Sequence, residues 1–131
     1  MATLTPRKQL QPESDAIEAN VLRLADLALD KKAQDLKAFR VTGLTLTTDA
    51  IVICTATSEP QVKAIFNAAK EGMKAIGVRA IYAEGGYQDG WLILDFGDIL
   101  FHVFREQARS FYDLDDLWAD APEINVDPGH P

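Results

Sequence analysis

Eight consecutive residues, Ala50 to Thr57 (AIVICTAT), carry no charge and no turn-forming residue. The run is unbroken and apolar. Strands covered on both faces of a sheet read this way. Such a strand needs cover above and below it, and the rest of the chain must supply that cover.

The cover is written on either side of the run. Ser14 reads as an N-cap. Ala16, Ile17, Val21, Leu22, Leu24, Ala25, Leu27, Ala28 and Leu29 then follow at helical spacing and predict a helix over 14–32. Lys31 and Lys32 fall in its last turn, where cations suit the helix dipole. A second helix starts after Ser58, with Pro60 in its first turn and Gln61 placed to close a capping box. It runs to Ile76 with Val62, Ile65, Phe66, Ala69, Met73 and Ile76 on one face, and Gly77 stops it.

Further strands are expected at 36–42, 78–83, 91–95 and 99–104. The last two join through Phe96-Gly97-Asp98 as a hairpin. Charged residues with Ala108, Phe111, Tyr112, Leu114 and Leu117 at helical intervals predict one or two short helices over 105–117. The order α-β-β-α-β-β-β-α predicts a single layered α/β domain with a mixed five-stranded sheet flanked by helices. A length of 131 residues fits one domain. Its expected bounds are 14–118, after a flexible lead-in at 1–13. An acidic tail with three prolines, expected to be disordered, follows at 119–131.

The formal net charge of −7 argues against binding nucleic acid over a broad surface. The charge is uneven. Residues 1–85 hold ten acids and eleven bases, net +1, and residues 86–131 hold ten acids and two bases, net −8. A partner of the C-terminal third is expected to be neutral or basic. One cysteine, Cys54, excludes an internal disulfide. No stretch is long and apolar enough to span a membrane, and the first residues lack the apolar core of a secretory signal. A cytoplasmic setting is expected.

Candidate chemistry is sparse. Asp95 and Asp98 flank a turn and could hold a divalent metal, as in nucleotidyl-transferring enzymes. Their ordinary reading is a strand end and a turn opener. His102, inside an apolar strand, could act as a base, but packing and a hydrogen bond are its usual lot. Cys54 reads as a small buried residue. Gly85, Gly86 and Gly90 precede a strand rather than a helix, so they read as turn residues and not a phosphate loop. The aromatics say more: Trp91, Phe96, Phe101, Phe104, Phe111, Tyr112 and Trp118 lie within twenty-eight residues. Trp91 and Phe96 are expected to be exposed anchors. An aromatic centre with a charged rim is the composition of a protein-binding hot spot, set here against plain core packing or a homodimerisation module.

The motifs also have a family likeness. Thr48 to Ser58 (TDAIVICTATS) is followed by Glu84-Gly85, then Trp91 to Phe104 (WLILDFGDILFHVF) and Arg109 to Trp118 (RSFYDLDDLW). Over about residues 16–118 this series resembles the ribosomal silencing factor family, also called Iojap-like. The resemblance implies a small α/β domain related to nucleotidyltransferases but without their active site, and so no catalytic activity, cofactor or metal. It implies binding to the large ribosomal subunit through its basic protein L-fourteen, blocking small-subunit joining when nutrients are scarce. It also implies a homodimer of the free protein, with no direct nucleic-acid contact and no membrane contact expected. Family contacts carry over to Trp91, Asp95, Phe96 and Tyr112, and Asp98 and Arg109 match the motif with a structural reading open. Two departures stand out. Gln61 replaces a frequent histidine, with little effect expected, and the loop Gly86 to Gly90 is unusually rich in glycine.

Overall fold

The computed structural model describes residues 12–86 and 90–126. Most of the expected lead-in, Tyr87 to Asp89, and the end of the acidic tail lie outside these residues. In chain order the elements are α1 (Pro12–Asp30), β1 (Gln34–Arg40), β2 (Ala50–Ala56), α2 (Glu59–Ala75), β3 (Tyr82–Gly86), β4 (Trp91–Asp95), β5 (Ile99–Arg105), α3 (Glu106–Tyr112), α4 (Leu114–Leu117) and β6 (Glu123–Ile124).

Every residue of β2 is buried, as its unbroken apolar run requires. It lies inside a mixed sheet of order β3-β4-β5-β2-β1-β6. The β2–β5 pair is parallel and the other pairs are antiparallel. The sheet has six strands, not five. The sixth falls in the segment whose acids and prolines predict disorder, and it pairs Ile124 with Ala38 and Glu123 with Phe39. Ala121 and Ile124 are buried there, a local hydrophobic tie that composition does not show.

The two long helices cover one face. Val21, Leu24 and Ala28 of α1, with Val62, Ile65, Ala69 and Met73 of α2, pack onto Val52, Cys54, Leu92, Leu94, Phe101 and Val103. Each large side chain fully buried here contributes about 1.5–3 kcal/mol by transfer from water. The other face carries a smaller cluster: Phe39, Val41, Ile51, Ile53, Phe104 and Ala121. Trp91, Leu100, Ala108, Leu114 and Trp118 pack against it from its margin.

The α2 start follows its sequence signals. Ser58 Oγ accepts the Gln61 N–H at 3.2 Å, and Pro60 sits in the first turn. Gln61 does not close the capping box on the Ser58 N–H but reaches one residue further back. Its Oε1 accepts from the Thr57 N–H at 2.6 Å and the Thr57 hydroxyl at 3.0 Å. Its Nε2 donates to the Lys31 and Lys32 carbonyls at 3.0 and 2.9 Å. One side chain thus ties the α2 start to the α1 exit.

Several boundaries differ from expectation. Helix α1 begins at Pro12, so Ser14 lies inside it rather than capping it, and β1 spans Gln34–Arg40, two residues earlier than expected at each end. Helix α1 ends at Asp30, so Lys31 and Lys32 lie beyond it, Lys32 with a left-handed φ of 69°. Ile76 follows the end of α2 and is 49% exposed rather than on the core face. Strand β3 begins at Tyr82, four residues after the expected start. As an edge strand with almost no burial, it leaves little hydrophobic pattern to mark its register.

Candidate functional site

Strand pairing defines the face opposite the long helices. Residues directly opposite in a ladder share a face. Trp91 faces Phe104, Ile93 faces His102 and Asp95 faces Leu100. Tyr82 and Glu84 of β3 stand opposite Asp95 and Ile93. The short segment from α3 to Ala121 covers this face over Phe39, Ile53 and Phe104. Towards β3 the cover gives out. Trp91, Ile93, Asp95 and Leu100 are half-buried, Glu84 is exposed, and Tyr82 is 57% exposed. An apolar strip with two carboxylates beside it remains open.

Of the expected site residues, the structure places Trp91 and Asp95 together here. Asp95 also holds its turn: Oδ1 accepts the Gly97 N–H at 2.7 Å. Its other carboxylate oxygen makes no hydrogen bond among the described residues.

Phe96 is not the exposed anchor expected. It is 8% exposed and lies in the core under the helices. Leu92, Leu94 and Phe96 alternate onto the helix side, while Trp91, Ile93 and Asp95 take the open side. Asp98 stays exposed at the hairpin turn. Its backbone carbonyl accepts from the Asp49 and Ala50 N–H groups at 2.9 and 3.0 Å, fixing the start of β2.

Arg109 is an internal tie. Its guanidinium grips Asp115 through both carboxylate oxygens, at 2.9 and 2.7 Å. It also donates to the Asp35 carbonyl at 2.6 Å and to the buried Thr55 hydroxyl at 2.8 Å. Hydrogen bonding to Arg109 holds the Asp115 carboxyl below its ordinary range, against some burial. A charged cavity of about 540 Å³ lies beside this tie, and both Asp35 and Asp113 on its wall have left-handed backbone. Tyr112 ends α3, and its side chain lies outside the described set.

His102 is packed but not satisfied. It is 8% exposed, stacks on Phe104 with ring centroids 5.8 Å apart, and its Nδ1 has no hydrogen-bond partner. Burial pushes its pKa down to about 4, so it stays neutral near pH 7. Cys54 is fully buried on the helix side, where burial pushes its thiol up to about 12, an inert position. Among the described residues no His, Cys, Asp and Glu side chains gather as a metal-ligand set. No described helix is long and apolar enough to cross a membrane.

Residues 93, 82, 84 and 100 complete the face although no motif singles them out. The signal for Ile93 and Leu100 is strand alternation, which puts them in line with Trp91 and His102. Tyr82 and Glu84 needed the β3 register.

The fold is a small single α/β domain with one open, largely apolar sheet strip beside two carboxylates. Comparison with known proteins gives its family. Residues 13–131 match the family described as ribosomal silencing factor during starvation. The chain is 35% identical over 113 residues to the ribosomal silencing factor RsfS of Bacillus subtilis, covering 86% of this chain and 96% of that one. It is 32% identical to the chloroplastic protein Iojap of Arabidopsis thaliana over 93% of this chain but half of that protein. A crystal structure of a protein from Chromobacterium violaceum superposes with a TM-score of 0.76 at 28% identity, covering 88% and 97% of the two chains. The chain belongs to the ribosomal silencing factor family. Membership places it among ribosome-associated regulators of translation.

Proposed function

We propose that the protein binds the large ribosomal subunit through its basic protein L-fourteen and blocks association of the small subunit, chiefly under nutrient limitation. The action is occlusion, with no bond made or broken, and takes place in the cytoplasm. The observation that carries this reading is the open sheet strip of Trp91, Ile93 and Leu100 beside Asp95 and Glu84. Apolar anchors in the centre give affinity by desolvation. The free oxygen of Asp95 and the carboxylate of Glu84 suit Arg or Lys of a basic partner. The ten acids of residues 86–131 attract such a partner, in a salt-dependent way. Tyr112 adds area at the end of α3. Arg109, Phe96 and Asp98 act through the fold: their bonds and burial hold α3 and the hairpin in place behind the strip.

Free copies pair through the same strip, whose Tyr82 margin and neighbouring Ile81 are exposed. The test is a pulldown on purified large subunits, with sedimentation of the protein alone. Binding by the wild type, with loss in Asp95→Lys and Trp91→Ala, is expected. Binding unchanged in both variants would overturn the assignment of the strip, and no binding by the wild type would overturn the function.

A further inference from the structure

The negative net charge hides a basic feature on the opposite layer. Lys63, Lys70 and Lys74 are exposed on α2, and none forms an ion pair among the described residues. At about 100° per residue they fall within about 40° of one another and span about 16 Å along the axis. Exposed Asn67 stands on the same stripe, Glu59 marks its start about 40° from Lys63, and Glu71 flanks it about 60° from Lys74, so the stripe stays net basic. The buried residues of α2 lie roughly 60° or more away, so the stripe faces outward from the core.

The fold fixes where this stripe points. Gly72 marks the α1 side of α2, because a Cβ there would meet Leu27 at 2.4 Å. Gly72 lies about 180° around the helix from Lys63. Helix α1 packs over β1 and β2, and α2 over β5 and β4. The flank of α2 away from α1 therefore overhangs the β4–β3 side of the sheet. Arg79, exposed in the connection from α2 to β3, continues the basic edge. The open strip reaches this same edge from the other face, through Tyr82 and Glu84.

We infer that Lys63, Lys70 and Lys74 form a second contact surface that holds the phosphate backbone of ribosomal RNA next to the protein partner of the open strip. The inference rests on the ribosome-binding reading above. It departs from the expectation of no nucleic-acid contact, which came from a net charge that the fold separates in space. Lysines act here as point charges that release condensed counterions, and they carry no sequence preference.

The experiment compares the full-length wild type with Lys63→Gln/Lys70→Gln/Lys74→Gln, three exposed substitutions that leave the melting temperature nearly unchanged. Affinity for purified large subunits is measured from about 50 to 200 mM salt, and affinity for isolated L-fourteen is measured in parallel. With about 0.9 counterion released per duplex phosphate, three contacts add about 2.7 to the slope of log affinity against log salt. Across that range the wild type then loses about 40-fold more affinity than the variant. Isolated L-fourteen should bind both proteins equally, and the triple arginine variant should restore the slope. Equal slopes on subunits for wild type and variant would overturn the inference. So would a matching loss on isolated L-fourteen, which would assign the lysines to the protein contact. Failure of the wild type to bind L-fourteen at all would overturn the partner assignment, while the subunit slopes would still decide the lysine stripe.

Discussion

Arg109 tests whether a motif residue binds a partner or holds the fold. Its side chain is 12% exposed and that of Asp115 26%, so the pair is mostly but not wholly out of water. Four of its five N–H groups are used: two on Asp115, one on the Asp35 carbonyl and one on Thr55. Arg109→Ala strands the Thr55 hydroxyl, which sits in a site 2% exposed, and leaves the Asp115 carboxylate without its counter-charge. Removing one partner of a buried pair costs about 3–5 kcal/mol. Solvent reaching Asp115 discounts this to about 2–3 kcal/mol. Arg109→Lys keeps the charge but loses the two-pronged grip, and should cost about 1–2 kcal/mol. Urea unfolding followed by circular dichroism measures both. Because Arg109 holds the Asp115 carboxyl below its ordinary value, this part of the stability is full above that value and fades as pH falls through the lowered one. The acid-side fade should be absent in Arg109→Ala. A variant as stable as wild type that nonetheless lost large-subunit binding would refute the reasoning and make Arg109 a contact.

His102→Phe should remove a pH dependence. With its pKa near 4 rather than 6.5, the wild type loses about 3 kcal/mol as pH falls from about 6.5 to 4, because the unfolded chain takes up the proton first. The phenylalanine variant should be at least as stable at pH 7 and flatter below it in thermal melts, and an equal acid slope would place the titration elsewhere. Gly85→Ala should destabilise by more than about 2 kcal/mol, since φ is 101° and a Cβ would lie 2.2 Å from the Trp91 carbonyl oxygen. Loss of β3 amide protection in hydrogen exchange reports it, and unchanged protection would contradict the β3–β4 register. Cys54 should react with a thiol reagent only on unfolding, and fast labelling of native protein would contradict its burial.

Much of the fold is legible because local rules and tertiary demands agree. The apolar run from Ala50 reads as an interior strand, and Ala50–Ala56 is one. Ser58 starts a helix by accepting the Gln61 amide, Pro60 in its first turn has no amide to satisfy, and the 96–98 turn closes a hairpin. What stays hidden has a shared physical cause. Strand β3 is an edge strand held mainly by backbone ladder bonds, so its residues do not record its register. Strand β6 is two residues long, and its reward is burial of Ile124 beneath a distant strand. Arg109 meets Asp35 and Thr55, 74 and 54 positions away, which no local spacing encodes. Phe96 shows the opposite case. The alternation of β4 already aims it away from Trp91, and an exposed turn position is not an exposed side chain.

If the Trp91–Asp95 strip seats the protein on the large subunit where the small subunit would join, gradient sedimentation of purified subunits, mixed with and without this protein, reads the effect. The wild type should shift joined ribosomes into separate subunits. Trp91→Ala and Asp95→Lys, checked for native melting, should each raise the concentration needed by at least about 30-fold, the size of a hot-spot loss. Joined ribosomes unchanged by the wild type, or separated equally well by both variants, would contradict the account.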